Sequence, residues 1–283
     1  MKPLFRLVAS IGVAALALSA SAAGSFKEPV GLQLYSLRAE FTKNVPAAIE
    51  KVKGFGFRDV ELAGTYNLSP EKFLSMLKEA GLNPVSGHFP FERYQNDLAA
   101  VVKEAKALGL KFAGCAWIPH KDAFDEAEAK LAVEVFNKAG EALKKEGIQF
   151  FYHIHGYEFH THGSGTLLDV LMDGTKPEFV AFQLDVLWAV FPGQDPVKLL
   201  EKYGSRWQLM HVKDLKKGVK TGSLTGSTDV ANDVPVGTGQ MDWPAIFKAA
   251  QKVGVKHYFI EDESPTVVDQ IPQSLKYLKT VSW

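Results

Sequence analysis

The chain has 283 residues, 46% of them hydrophobic and 23% charged, so it can bury a full core and is neither disordered nor fibrous in composition. Thirty-two Lys and Arg balance 32 Asp and Glu, and a formal charge of zero argues against nucleic acid as a partner. Cys115 is the single cysteine, which excludes an internal disulfide framework and a thiolate metal cluster and leaves His, Asp and Glu to hold any metal.

At the amino terminus, Lys2 and Arg6 precede the apolar run Leu7–Leu18 and the small residues Ala20 and Ala22. This is the three-part layout of a secretory signal peptide spanning 1–22, with cleavage near Ala22 and a periplasmic or secreted product of 23–283. The apolar run is short for a permanent membrane anchor. From Pro29 onward, β-rich runs alternate with helical periodicity to the end without a linker. The predicted strands are Val30–Tyr35, Asp59–Leu62, Asn83–His88, Phe112–Ala116, Phe150–His155, Val180–Asp185, Trp207–His211 and Tyr258–Glu261. Between and after them fall helical stretches at Val45–Lys53, Pro70–Ala80, Leu98–Leu108, Phe124–Lys145, Pro196–Tyr203, Pro244–Val253 and Val267–Leu278. Eight alternations predict an α/β protein of one domain, a (β/α)₈ TIM barrel. The first strand is followed by no Gly-x-Gly-x-x-Gly, and there is no P-loop, so nucleotide binding has little support.

A barrel brings its strand ends to one rim. Tyr35, Glu61, His88, His153, His155, Glu158, Asp185, His211 and Glu261 fall at or just past those ends. Singly, each is a common solvated or hydrogen-bonded residue. Together, the last four strands offer carboxylates and imidazole suited to one divalent ion, Mn²⁺, Mg²⁺, Co²⁺ or Zn²⁺.

The segments Gly31-Leu-Gln-Leu-Tyr-Ser-Leu-Arg38, Asp59-Val-Glu-Leu62, His153-Ile-His-Gly-Tyr-Glu158, Leu184-Asp-Val-Leu-Trp188, His211-Val-Lys-Asp214 and Glu261-Asp-Glu263 resemble the xylose isomerase-like barrels known as sugar phosphate isomerases/epimerases. The resemblance covers essentially all of the chain after the leader. It implies that Glu158, Asp185, His211 and Glu261 hold the metal. With Glu158 and Glu261 on opposite sides of the mouth as acid and base, the expected reaction is epimerisation or isomerisation of a keto-sugar through an enediolate. Loss of a β-oxygen instead would make a lyase or hydratase on 3-keto glycosides, and a silent sugar-binding barrel is the remaining alternative. The endonuclease branch of the superfamily needs more metal ligands and a basic groove than this chain offers.

Tyr35, His88, His155, Trp188 and Lys213 are the expected substrate contacts. Trp188 stands where many epimerases of the group carry His, and a stacking ring there favours the apolar face of a pyranose. Gly237-Thr-Gly239 reads more readily as a turn than as an anion cradle, and with export this points to an unphosphorylated substrate. His120, His160, His162 and His257 read as isolated or loop residues, and Cys115 as a small buried hydrophobe. Lys213–Lys220 reads as a solvated loop, although Asp214–Val234 is long enough to form a lid.

Overall fold

The computed structural model describes residues 24–283, so the predicted leader over 1–22 lies outside the described residues. Eight parallel strands close on themselves. They are β1 (Val30–Gln33), β2 (Asp59–Leu62), β3 (Asn83–His88), β4 (Phe112–Cys115), β5 (Gln149–His153), β6 (Val180–Asp185), β7 (Trp207–Val212) and β8 (His257–Ile260). Pairing runs in chain order around the barrel, and β1 meets β8 in the register Val30 with Tyr258 and Leu32 with Ile260. This is the expected (β/α)₈ architecture.

Helix starts follow local chemistry. Ser69 accepts a hydrogen bond from the Lys72 amide ahead of Pro70, and Asp195 accepts from Val197 and Lys198 ahead of Pro196. Pro suits the first helical turn because it lacks only an N–H that has no intrahelical partner. Asp125 forms a capping box with Glu128, so that helix begins at Glu126 rather than at the expected Phe124. Short helices at Arg38–Lys43, Phe91–Asn96, Leu167–Gly174 and Val186–Val190, and the two-stranded pairs Thr161–His162 with Gly165–Thr166 and Asp214–Leu215 with Asp233–Val234, were not expected.

The barrel interior is built in layers by strand alternation. Its floor is apolar, from Val85, Phe112, Phe151, Ala181, Leu209 and Phe259. A Cβ on Gly114 would come within 2.3 Å of the Phe151 ring, so this glycine is the space that lets Phe151 fill the barrel. Burying each such aromatic contributes about 2–3 kcal/mol of transfer free energy. One step toward the carboxyl ends of the strands, the same alternation places Gln33, Glu61, His153, Gln183 and His211, and a bulge in the β2–β3 register, where Val60 pairs with Pro84 and Glu61 with Ser86, turns Ser86 in beside Val85; all are buried. The outward faces of the strands join the helices in one large apolar cluster that includes Cys115, as expected of it. Among the described residues, no helix is long and apolar enough to cross a membrane.

Candidate active site

Glu61 is the hub of the polar layer. Its carboxylate accepts from Gln33 Nε2 (2.9 Å), Ser86 Oγ (2.6 Å), Gln183 Nε2 (2.9 Å) and His211 Nε2 (2.6 Å), and His88 Nε2 lies 3.2 Å away. Burial alone would raise its pKa, but His88 and His211 beside it hold it well below the usual carboxylate range. Because an ionised carboxylate only accepts, His211 Nε2 donates to Glu61, and whenever the ring is neutral Nδ1 is the nitrogen that offers a lone pair. The same logic orients Gln183, whose amide nitrogen donates to Glu61 and whose oxygen therefore accepts from His153 Nδ1 at 2.9 Å. His153 thus presents Nε2, and with His88 and His211 it forms one cluster of ligand atoms within 4.8 Å of one another.

The second such cluster is Asp185, His211 and Glu261. His211 Nδ1 lies 2.7 Å from Glu261 Oε2 and 3.4 Å from Asp185 Oδ2. Neither approach has hydrogen-bond geometry, and both His211 Nδ1 and Asp185 Oδ2 are buried without a hydrogen-bond partner. A lone pair facing two carboxylate oxygens is repulsive unless a cation lies between them. Donors about 2.1 Å from a shared divalent ion stand about 3–3.4 Å apart; the 3.4 Å His211–Asp185 spacing matches that, the 2.7 Å His211–Glu261 spacing is tighter, and the nitrogen and carboxylate donor types suit such an ion. With a proton there instead, Glu261 and Glu61 outweigh burial and raise the His211 pKa well above its ordinary value. Asp185 is aimed by the chain itself, since its Oδ1 caps the helix Val186–Val190 by accepting from the Trp188 amide at 2.9 Å.

Glu158 is not brought to this cluster. The chain leaves β5 at His153 and turns at Gly156 (φ +93°), where a Cβ would meet the Trp188 carbonyl oxygen at 2.8 Å. Beyond that turn the Glu158 carboxylate accepts from Tyr152 Oη (2.5 Å) and from the amides of His155 (3.0 Å) and Gly156 (2.7 Å). Tyr152 lies on the helix-facing side of β5, packed on Phe136 and Phe182, so Glu158 sits behind the barrel wall. Burial raises its pKa. The polar side chain that β5 sends inward, above Phe151, is His153, a strand-end residue for which no role was expected.

A cavity of about 710 Å³ opens above the clusters, and Tyr35, His88, His155, Trp188, Lys213 and Glu261 all line it, so the expected substrate contacts share one mouth. Lys213 is buried, with Nζ 2.7 Å from Glu263, 3.2 Å from Glu261 and 3.6 Å from Asp233, and 5.6 Å from the centre of the Trp188 ring. Burial would lower its pKa, yet Glu261, Asp233 and Glu263 hold it well above the ordinary lysine value. Burial pushes His155 down to about 3 and keeps it neutral. The Gly237 and Gly239 amides donate to Asp214 Oδ2, which also accepts from Trp243 Nε1, so this turn is occupied by the protein's own carboxylate. Gly226, Ser227, Thr228 and Val230 of the long loop also line the cavity, in keeping with the lid reading of Asp214–Val234.

A closed barrel that gathers buried imidazole and carboxylate groups beneath a mouth of aromatic and charged side chains has the architecture of an enzyme acting on small molecules. The chain belongs to the xylose isomerase-like TIM barrel family, whose profile matches residues 49–281. It is similar to an inosose dehydratase of Clostridium perfringens, 29% identical over an alignment of 176 residues, with coverage of 57% of this chain and 56% of that one. The match thus spans little more than half the length of that relative. It is also similar in structure to a sugar phosphate isomerase/epimerase from Parabacteroides distasonis, with TM-score 0.73, 27% identity and coverage of 93% of this chain and 96% of that one. The fold is shared with the IolI protein, solved with a zinc atom, at TM-score 0.69, 13% identity and coverage of 89% and 96%.

Proposed function

We propose that this protein is a divalent-metal-dependent lyase that removes water, or another β-oxygen group, from an unphosphorylated cyclic keto-sugar or keto-polyol. The observation that carries this is the buried convergence of Asp185, His211 and Glu261 on one point beneath the cavity. These three would hold the ion, with His153 in the adjoining cluster that shares His211, and the zinc of the IolI structure is in keeping with that reading. When bound, the ion supplies positive charge for the anion that develops on a substrate carbonyl oxygen.

The chain's own groups do the rest. Lys213, held charged at the cavity wall, donates a hydrogen bond to a substrate oxygen, and Trp188 covers an apolar ring face. Of the carboxylates lining the cavity, Glu92, Asp233, Glu261 and Glu263, Glu261 is the one that also belongs to the proposed metal cluster. With Oε2 turned to His211 and the ion site, its Oε1, 3.2 Å from Lys213, is the oxygen that takes the C–H proton next to the carbonyl and passes it to the departing β-hydroxyl, so that one proton moves and water leaves. Burial would raise its pKa, but Lys213 and His211 beside it hold it low, so the carbonyl must acidify that C–H. Epimerisation needs a second acid–base group on the opposite face, and Glu158, proposed for that part from the sequence, lies behind β5. The inosose dehydratase relative supports elimination. Phosphate is disfavoured because Lys213 is already surrounded by three carboxylates and the Gly237–Gly239 amides serve Asp214.

The test is ¹H NMR of a panel of keto-glycosides and keto-cyclitols in D₂O with Mn²⁺, for wild type and His211→Ala. We expect metal-dependent loss of the C–H signal α to the ketone with appearance of an enone, and neither in the variant. A panel left unchanged, while a phosphorylated ketose is turned over, would overturn the proposal. Export rests on the pattern of residues 1–22 alone and is checked by sequencing the amino terminus of protein from its native host, expected at Ala23.

A further inference from the structure

We infer that the outer part of the cavity is a second subsite, built on Trp117, for a flat ring joined to the ring that reacts below. The inference rests on the carbohydrate reading above. Only Tyr35, Trp117 and Leu131 are exposed large hydrophobics among the described residues, at 44%, 41% and 42%, and the first two line this cavity. Exposed aromatic area gathered at one pocket mouth marks a contact surface rather than scattered surface noise.

Trp117 is also held rigid. Its ring stacks on His120 (4.8 Å between centres, 25° between planes) and meets Tyr157 edge-on at 4.8 Å and 71°. His120 Nδ1 is within 2.7 Å of the Ile118 carbonyl oxygen, and the Ile118 amide donates to Tyr157 Oη at 2.8 Å. On its other flank the loop approaches closely at Gly226, where a Cβ would stand 3.2 Å from the Trp117 ring. A ring fixed this firmly loses little conformational freedom when a ligand covers it.

The outer ring is continuous with the inner one. His155 lies 5.5 Å from Trp117 and 5.4 Å from Trp188, so three rings line the path from rim to floor. The cavity's 710 Å³ suits drug-sized ligands, whereas a single hexose has only about twelve non-hydrogen atoms. A two-ring ligand, whether a disaccharide or an aryl glycoside, would use both Trp188 and Trp117. The shared requirement is an apolar ring face at the second position.

The experiment is calorimetric titration, with Mn²⁺ present, of methyl β-glucoside, cellobiose and phenyl β-glucoside as unreactive probes. In wild type we expect cellobiose, phenyl β-glucoside or both to bind about tenfold tighter than the methyl glycoside, the scale of one aromatic stack. Trp117→Ala should erase that advantage without changing the affinity for methyl β-glucoside, and Trp117→Phe should restore most of it. Which probe carries the advantage tells a sugar from an aromatic second ring. Equal affinity for all three in wild type, or a loss in Trp117→Ala that includes the methyl glycoside, overturns the subsite. Absence of binding by every probe removes the carbohydrate reading itself, and the subsite with it.

Discussion

Glu61 touches no cavity space, yet the lone pair that His211 offers to an ion depends on it. Its carboxylate accepts a hydrogen bond from His211 Nε2 at 2.6 Å and so turns Nδ1 toward Asp185 and Glu261. Partners of this kind, one bond removed from the ion, commonly change metal affinity ten- to a hundredfold. Glu61→Gln keeps the volume but turns an N–H toward one of several converging donors, so Mn²⁺ affinity measured by calorimetry should fall by about tenfold or more. Glu158→Gln should behave differently. Its carboxylate serves Tyr152 and two backbone amides, so metal stoichiometry should stay at the wild-type value while thermal stability drops by about 1–3 kcal/mol from imperfectly matched buried donors. A lost metal equivalent in Glu158→Gln would show that this side chain reaches the ion. The sequence displays Glu61, His153 and Glu158 alike as strand-end polar residues. It hides that Glu61 gathers partners 25, 28, 122 and 150 residues away, a convergence that only closure of the barrel creates. Strict alternation along β5, with Phe151 and His153 inward and Phe150 and Tyr152 outward, was the available signal that His153 faces the site.

Elements announced by their own chemistry were legible, and those formed by tertiary contact were not. Asp59–Leu62, Asn83–His88, Val180–Asp185, Pro196–Tyr203 and Val267–Leu278 have the boundaries read from the sequence. β1 stops at Gln33 rather than Tyr35 because the Gln33 side chain accepts from the Tyr35 amide and starts a 3₁₀ turn, a competition that hydrophobic pattern does not register. The helix Leu167–Gly174 was missed because its cap is partly long-range. Asp169 accepts from the Thr166 amide at 2.8 Å and also from Tyr203 Oη at 2.8 Å, with Lys202 paired to it. Asp169→Ala should therefore cost about 1–2 kcal/mol at pH 7, nearly all from the cap and the Tyr203 bond, since the half-exposed Lys202 contributes little. Burial opposes the charge, but Lys202, Thr166 and Tyr203 lower the Asp169 pKa below its ordinary value. A depressed carboxyl stabilises the fold above its unfolded pKa and ceases to do so as pH falls through the folded one. The charge-dependent part of the difference between wild type and variant should thus shrink below about pH 4 in urea titrations. A gap that widens on acidification would contradict this assignment.

At the scale of the whole molecule, closure involves more than the eight-strand ladder, because the two ends of the described chain are tied together beneath it. Gly24 and Trp283 exchange backbone hydrogen bonds of 2.6 and 2.9 Å, and Ser25 bridges Ser282. Phe26 then packs on Phe247 at 4.3 Å and edge-on to Tyr258 at 5.1 Å, covering the seam where β8 meets β1. This tie begins just after the small residues at Ala20 and Ala22 that mark the proposed processing site. A chain starting at Ala23 keeps every contact of the tie, whereas one starting at Glu28 loses Phe26 and both backbone bonds to Trp283. The first should melt at the same temperature as the full chain. The second should lose about 2–3 kcal/mol, the order expected for a half-buried aromatic together with a short backbone ladder, and differential scanning calorimetry of the two proteins measures the difference. Equal melting temperatures would show that the barrel closes without its terminal tie.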